Sequence, residues 1–166
     1  MWFLILFIGF TFHTGNTKKY EEALYIPLTT TSKSITFTVC AKNDAHVGFI
    51  CGNQFYEIVI GGWANTKSVI RRKPVGSSYG DETNFASTSG ILDGNEYRPF
   101  WAQALNGLVR FGNGDIIGQN IVIQWQDPSP IIPNYVGFTT GWGSSGDWIV
   151  ESIVLGIPFI ILKQIF

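Results

Sequence analysis

Charge is scarce in this chain. Its 166 residues include only 11 Lys and Arg and 12 Asp and Glu, for a formal net charge of −1. So sparse and balanced a set makes no broad positive field to gather phosphate backbones, which argues against nucleic acid as a partner. Histidine is scarcer still: there are two, and neither His13 nor His46 has a second His or a paired Cys at metal-ligand spacing. No bound metal is expected. Acidic residues at alternating positions, as a calcium loop needs, are missing as well. The G-x-S-x-G elbow of serine hydrolases is absent, and no apolar run reaches the roughly 18 to 20 residues of a helical membrane span. There is one Met, and the two cysteines allow at most one internal disulfide. No machinery for enzymatic chemistry is recognisable.

What the chain has is Gly, Thr, Ile, Val, Phe and Trp, with 19 glycines and six tryptophans. That composition suits short strands joined by tight turns. Period-2 alternation recurs over Ile35 to Ala41, Val47 to Cys51, Phe55 to Ile60, Ser68 to Arg72, Arg98 to Leu105, Leu108 to Phe111, Ile121 to Trp125 and Tyr135 to Thr139, each bounded by Gly, Asn, Asp or Pro. Asn106-Gly107 tolerates the positive φ angles of a type I′ turn, so Arg98 to Phe111 reads as one hairpin. Lys73 to Asn95 lacks apolar alternation and reads as a long surface excursion. The expected fold is all-β, an antiparallel β-sandwich of jelly-roll type, in a single domain.

Both ends are apolar. Trp2 to Phe12 followed by a polar stretch has the profile of a signal-peptide h-region, although the usual preceding Lys or Arg is missing. Residues 1–17 are therefore expected to be a leader and the protein to be secreted; the alternative is an N-terminal strand packed into the core. The sandwich domain is assigned to residues 18–150. Residues 151–166 are a hydrophobic tail of uncertain structure; after Trp148, Ile149, Val150, Ile153, Val154 and Ile157 would share a helix face until Pro158, but the stretch is dense in β-branched residues and reads as a strand followed by an uncertain hydrophobic end. If Ile35 to Ala41 and Val47 to Cys51 pair as a hairpin, matching their apolar faces turns Cys51 inward and Cys40 outward. Both thiols are then expected to be free.

Two loops carry candidate ligand-binding residues. In Tyr56 to Arg71 a strand runs into Gly61-Gly62, exposes Trp63, and presents Asn65, Thr66 and Lys67 before the next strand returns to Arg71. An aromatic plane beside short polar groups suits sugars and other amphipathic small ligands, while the plainer alternative folds Trp63 over the sandwich end. Gly141 to Gly146 matches G-x-G-x-x-G, but nucleotide binding requires a following helix and a parallel strand carrying an acidic residue about 20 positions on, and no acidic residue follows Glu151. It reads as a Gly-rich loop exposing Trp142. Asp44 and His46 are further candidates, since Asp44-Ala-His46 can orient an imidazole. Arg71, Arg72 and Lys73 read as a solvated strand end. The carboxylates, apart from Asp81-Glu82, stand isolated, and turn chemistry accounts for Asp93-Gly94 and Asp127-Pro128. A glycosidase pair distant in sequence stays open.

These residues, with Phe37 to His46, Phe100-Trp101, Asn106-Gly107, Phe111 to Gly114 and Thr140 to Gly143, resemble the farnesoic acid O-methyltransferase-like domain over about Ile35 to Trp148. The chain departs from the pattern at Ala104-Leu105, where a further aromatic would be expected, and beyond Trp148. The resemblance implies an extracellular recognition module with a sandwich similar to galectin-like and other lectin folds. Its name implies S-adenosylmethionine-dependent methylation of farnesoic acid, for which no cofactor loop was found. Ligand recognition, with a glycan or other small molecule as partner and without a cofactor, is the leading expectation. Methyl transfer is the alternative, and a structural interaction module the third.

Overall fold

The structure, a computed structural model, describes residues 6–16, 25–74 and 81–154. These form twelve strands: β1 (Leu6–Thr14), β2 (Ile26–Pro27), β3 (Ser34–Ala41), β4 (Ala45–Cys51), β5 (Gln54–Gly61), β6 (Lys67–Pro74), β7 (Asp81–Ser87), β8 (Arg98–Leu105), β9 (Leu108–Asn113), β10 (Ile121–Gln126), β11 (Tyr135–Thr140) and β12 (Gly146–Val154). They make two six-stranded antiparallel sheets, β1-β12-β3-β8-β9-β10 (sheet A) and β2-β11-β4-β5-β6-β7 (sheet B). All eight expected strands are present.

Alternation decides which faces meet. In β3 the odd positions Ile35, Phe37, Val39 and Ala41 are buried while Ser34, Thr36, Thr38 and Cys40 are only partly so. The opposing face of sheet B supplies Ala45, Val47, Phe49, Ile58, Ile60, Ile70 and Phe138. Phe37 packs against Phe100, Phe138 and Trp148 with ring centroids 6.0, 5.6 and 5.7 Å away. Each such buried Phe contributes about 1.5–3 kcal/mol before ordering costs, so the aromatic cluster dominates the core. Asn106 and Gly107, at φ 52° and 78°, make the expected turn, and Leu105 pairs with Leu108 across it.

Four expectations change. β3 and β4 are not a hairpin: the chain crosses from sheet A to sheet B between them, because Asp44 in the left-handed region (φ 50°) redirects it. Cys40 and Cys51 therefore stand on different sheets, and both are free. The polar segment after Lys73 includes strand β7, an edge strand whose side chains need no apolar alternation. Arg71, Arg72 and Lys73 are not a solvated end, since alternation sends Arg71 and Lys73 to one face and Arg72 to the other, where it meets Asp127 at 3.1 Å. The turn at Asp127-Pro128 likewise does more than reverse the chain: Asp127 is buried and also accepts from Tyr56 Oη at 2.7 Å.

At the ends, the apolar run assigned to a leader supplies β1, paired with β12 from Leu6↔Val154 to Thr14↔Gly146. Phe12 lies parallel to Trp148 at 6.2 Å, and Trp148 Nε1 donates to Thr14 Oγ1 at 2.8 Å. The first four residues of the supposed tail extend β12, and residues 155–166 lie outside the described residues.

Candidate ligand-binding site

The outer face of sheet B is where polar chemistry collects. With Ala45, Val47, Tyr56, Ile58 and Ile70 turned to the core, period 2 sends His46, Glu57, Val59, Val69, Arg71 and Lys73 to the other side. Register then fixes their neighbours: Glu57 stands opposite Gly48 on β4 and Arg71 on β6, and Arg71 opposite Glu82 on β7, beside a register shift at Ile70/Arg71.

Glu57 is the hub. Its carboxylate, buried, accepts from His46 Nδ1 at 3.1 Å and from Arg71 Nη1 at 3.5 Å, and Lys73 Nζ lies 3.1 Å away. Burial alone would push its pKa up. The His46 hydrogen bond and the nearby charges of His46 and Lys73 outweigh that and hold Glu57 well below the usual carboxylate range. A second carboxylate, Glu82, lies 2.7 Å from Lys67 Nζ and 3.7 Å from Arg71 Nη2. The Lys67 ammonium sits between two rings, 4.4 Å from the Trp63 centroid and 4.6 Å from that of Phe85, while the Arg71 guanidinium is 5.5 Å from Trp63.

Trp63 reaches this face from a tight turn over Gly62–Asn65 in which Trp63, Ala64 and Asn65 all occupy the left-handed region, with φ of 51°, 56° and 64°. Each such residue costs about 1–2 kcal/mol, so the turn persists only because it is held from several sides. Thr66 N donates to Gly62 O at 3.0 Å, Thr66 Oγ1 to Trp63 O at 2.7 Å, and Gly90 N to Asn65 O at 2.8 Å. Asn65 clasps Leu92 twice, its amide donating to Leu92 O at 2.8 Å and its Oδ1 accepting from Leu92 N at 3.1 Å. Gly61 is required: at φ 59° a Cβ there would stand 2.6 Å from Asn65 Oδ1. The result is an indole 47% exposed on a fixed mount.

Two nitrogens on this face lack any hydrogen-bond partner, His46 Nε2 and Arg71 Nε, and both are buried. The His46 side chain is 6% exposed, and its Nε2 lies 4.0 Å from Asp44 Oδ1. Nδ1 donates to the Glu57 carboxylate, which only accepts, and this bond fixes the orientation of the ring and of Nε2. The face thus sets two buried, unpartnered nitrogens near an aromatic plane, positioned by Glu57 and the turn.

Of the residues expected from sequence, Trp63, Lys67, Arg71 and His46 come together here, with Asp44 at the β4 end beside them. Asn65 does not join them; its amide holds the loop. Trp142 lies on the neighbouring β11–β12 loop, at the same end of the sandwich, 53% exposed, where Gly141 N donates to Asp44 O at 3.2 Å. Glu57, Lys73, Glu82 and Phe85 were not among the ligand-binding residues expected from sequence. The available signal was Glu57 itself, a carboxylate in the middle of the otherwise apolar Phe55–Ile60.

A family model described as farnesoic acid O-methyltransferase matches residues 16–153. No curated protein sequence matches the chain. Among solved structures, the galectin LEC-6 of Caenorhabditis elegans is similar with a TM-score of 0.52 and 9% identity, covering 86% of this chain and 95% of that one. A prokaryotic β-1,3-1,4-glucanase (lichenase) from a mouse hindgut metagenome has a TM-score of 0.50 and 10% identity, covering 78% of this chain and 68% of that one. At such identities the likeness is one of fold.

Proposed function

The chain belongs to the farnesoic acid O-methyltransferase family, and within it we propose that this protein is a recognition module that holds a carbohydrate on the outer face of sheet B. The observation that carries this is the pair of buried, unpartnered nitrogens, His46 Nε2 and Arg71 Nε, set near an exposed indole. Buried polar atoms are normally satisfied, and a ligand hydroxyl is what would satisfy these. The Trp63 ring would pack on the apolar face of a sugar while hydroxyl groups meet the nitrogens. The names of the two structural neighbours, a galectin and a glucanase, support the proposal as analogy of fold only.

Hydrolysis fits the face poorly. A glycosidase needs one carboxylic acid whose pKa is raised so that it can protonate the leaving oxygen. Glu57 is shifted the other way, and Glu82 faces both Lys67 and Arg71.

S-adenosylmethionine, which the family name implies, does not fit the loop Gly141 to Gly146. That loop joins β11 of sheet B to β12 of sheet A with no helix after it, so no helix terminus offers N–H groups to the cofactor. Trp142 is held at φ 53° where a cofactor would approach, and the nearby carboxylate of Asp147 is bonded to His13 at 2.7 Å.

A glycan array probed with the protein and with Trp63→Ala tests the proposal. Binding by the wild type that falls by about tenfold or more in the folded variant, some 1.4 kcal/mol, is expected. Silence of the wild type across a broad array, or full binding by the variant, would overturn it. So would saturable one-to-one heat with S-adenosylmethionine in a calorimeter.

A further inference from the structure

The charges on this face are internally matched. Lys73 and Arg71 approach Glu57 at 3.1 and 3.5 Å, and Lys67 and Arg71 approach Glu82 at 2.7 and 3.7 Å. A third carboxylate, Asp44, stands 4.0 Å from His46 Nε2. Lys67, Arg71 and Lys73 are thus engaged by Glu57 and Glu82, and His46 lies between Glu57 and Asp44. An anionic ligand would have to take a cation away from Glu57 or Glu82, leaving a buried or half-buried carboxylate uncompensated. An ammonium ligand would meet the mirror-image penalty.

The two buried, unpartnered nitrogens select further. His46 Nδ1 donates to Glu57, and Nε2 accepts from a hydroxyl in the neutral ring or donates to one in the imidazolium. Arg71 Nε carries a proton and needs an acceptor. A hydroxyl is both donor and acceptor, so hydroxyl groups satisfy the pair together. A carboxylate or sulfate oxygen could accept from Arg71, but at Nε2 it would face the Asp44 carboxylate, whose Oδ1 lies 4.0 Å from that nitrogen.

We infer that the ligand of this face is an uncharged, hydroxyl-bearing sugar, and that the Lys67–Glu82–Arg71 and His46–Glu57–Lys73 pairings exclude acidic glycans. This rests on the carbohydrate reading of the site. Glu82 is the specificity-determining residue that can be altered most safely, because its side chain is 34% exposed and stands on the edge strand β7. Replacing it by Gln frees Lys67 and half of Arg71 for an external anion.

The experiment uses an array carrying neutral oligosaccharides beside their sialylated, sulfated and uronic-acid counterparts, probed with wild type and Glu82→Gln. Wild type is expected to prefer neutral members by about tenfold or more, and Glu82→Gln to narrow that preference by raising the acidic signals. Acidic glycans bound as well as neutral ones by the wild type would overturn the inference while leaving a sugar site standing. An unchanged preference in Glu82→Gln would overturn the role given to charge matching. Silence toward every glycan would overturn the underlying reading instead.

Discussion

A single carboxylate in an apolar strand is hard to interpret from sequence. Glu57 read as one isolated acid among many, since its partners His46, Arg71 and Lys73 come from β4 and β6 and are joined only by register. The same alternation that buries Tyr56 and Ile58 turns Glu57, Arg71 and Lys73 to one face, so Glu57→Gln leaves buried cations without their counter-charge. A loss of about 3–5 kcal/mol is expected, read as a lower urea midpoint with unchanged slope. The pH dependence has a defined sign. Glu57 and Asp127 both have folded pKa values below their unfolded ones, despite burial, because hydrogen bonds and cations favour the charged form. Their stabilisation is present above the unfolded values and is lost as pH falls through the folded ones, so stability should drop below about pH 4, less steeply in Glu57→Gln. Tyr56 titrates the other way. Burial and its bond to Asp127 push it up to about 12 from 10.0, so its contribution is full below pH 10 and disappears between there and about 12. In Tyr56→Phe, urea midpoints measured across pH 10 to 12 should lose that alkaline decline.

At the level of elements, turns whose conformation depends on their own residues were legible and those that depend on distant contacts were not. Asn106-Gly107 announces its geometry because both residues tolerate positive φ. The left-handed run Trp63-Ala64-Asn65 does not, because nothing in Trp or Ala favours it; Leu92 and Gly90, more than twenty positions away, hold it. Gly61→Ala would drive a Cβ to 2.6 Å from Asn65 Oδ1 and 2.9 Å from Leu92 Cδ1. It should cost about 1–2 kcal/mol for the backbone alone and release Trp63, seen as loss of glycan binding with retained far-ultraviolet circular dichroism. The first strand was ambiguous for a different reason: an aromatic-rich apolar run serves equally as an h-region and as an edge strand. Thr14 accepts from the buried Trp148 indole, and Phe12 covers that ring. A chain beginning at Lys18 leaves the indole N–H unsatisfied and unstacked, so its melting temperature should fall, in line with a loss of about 2 kcal/mol or more.

For the whole molecule, the sandwich followed from composition and alternation, because eight strands of period 2 with tight turns admit few other packings. The sheet order did not: nothing local says that β3 pairs with β8 and β12, or that Asp44 hands the chain to the other sheet. The outer face to which the proposal assigns ligand binding was half legible. Trp63, Lys67 and Arg71 were identified as a loop tip, whereas the structure extends them down β6 into a charged row anchored by Glu57. Two-dimensional ¹H–¹⁵N spectra, recorded while titrating in the neutral oligosaccharide bound most strongly on the array, test that row most directly. The Trp63 indole N–H and the backbone amides of His46, Glu57 and Arg71 should shift together and saturate together, while the buried indoles of Trp101 and Trp148 stay in place. Shifts confined to Gly141 to Gly146, or to strands of sheet A, would contradict the assignment of the binding face.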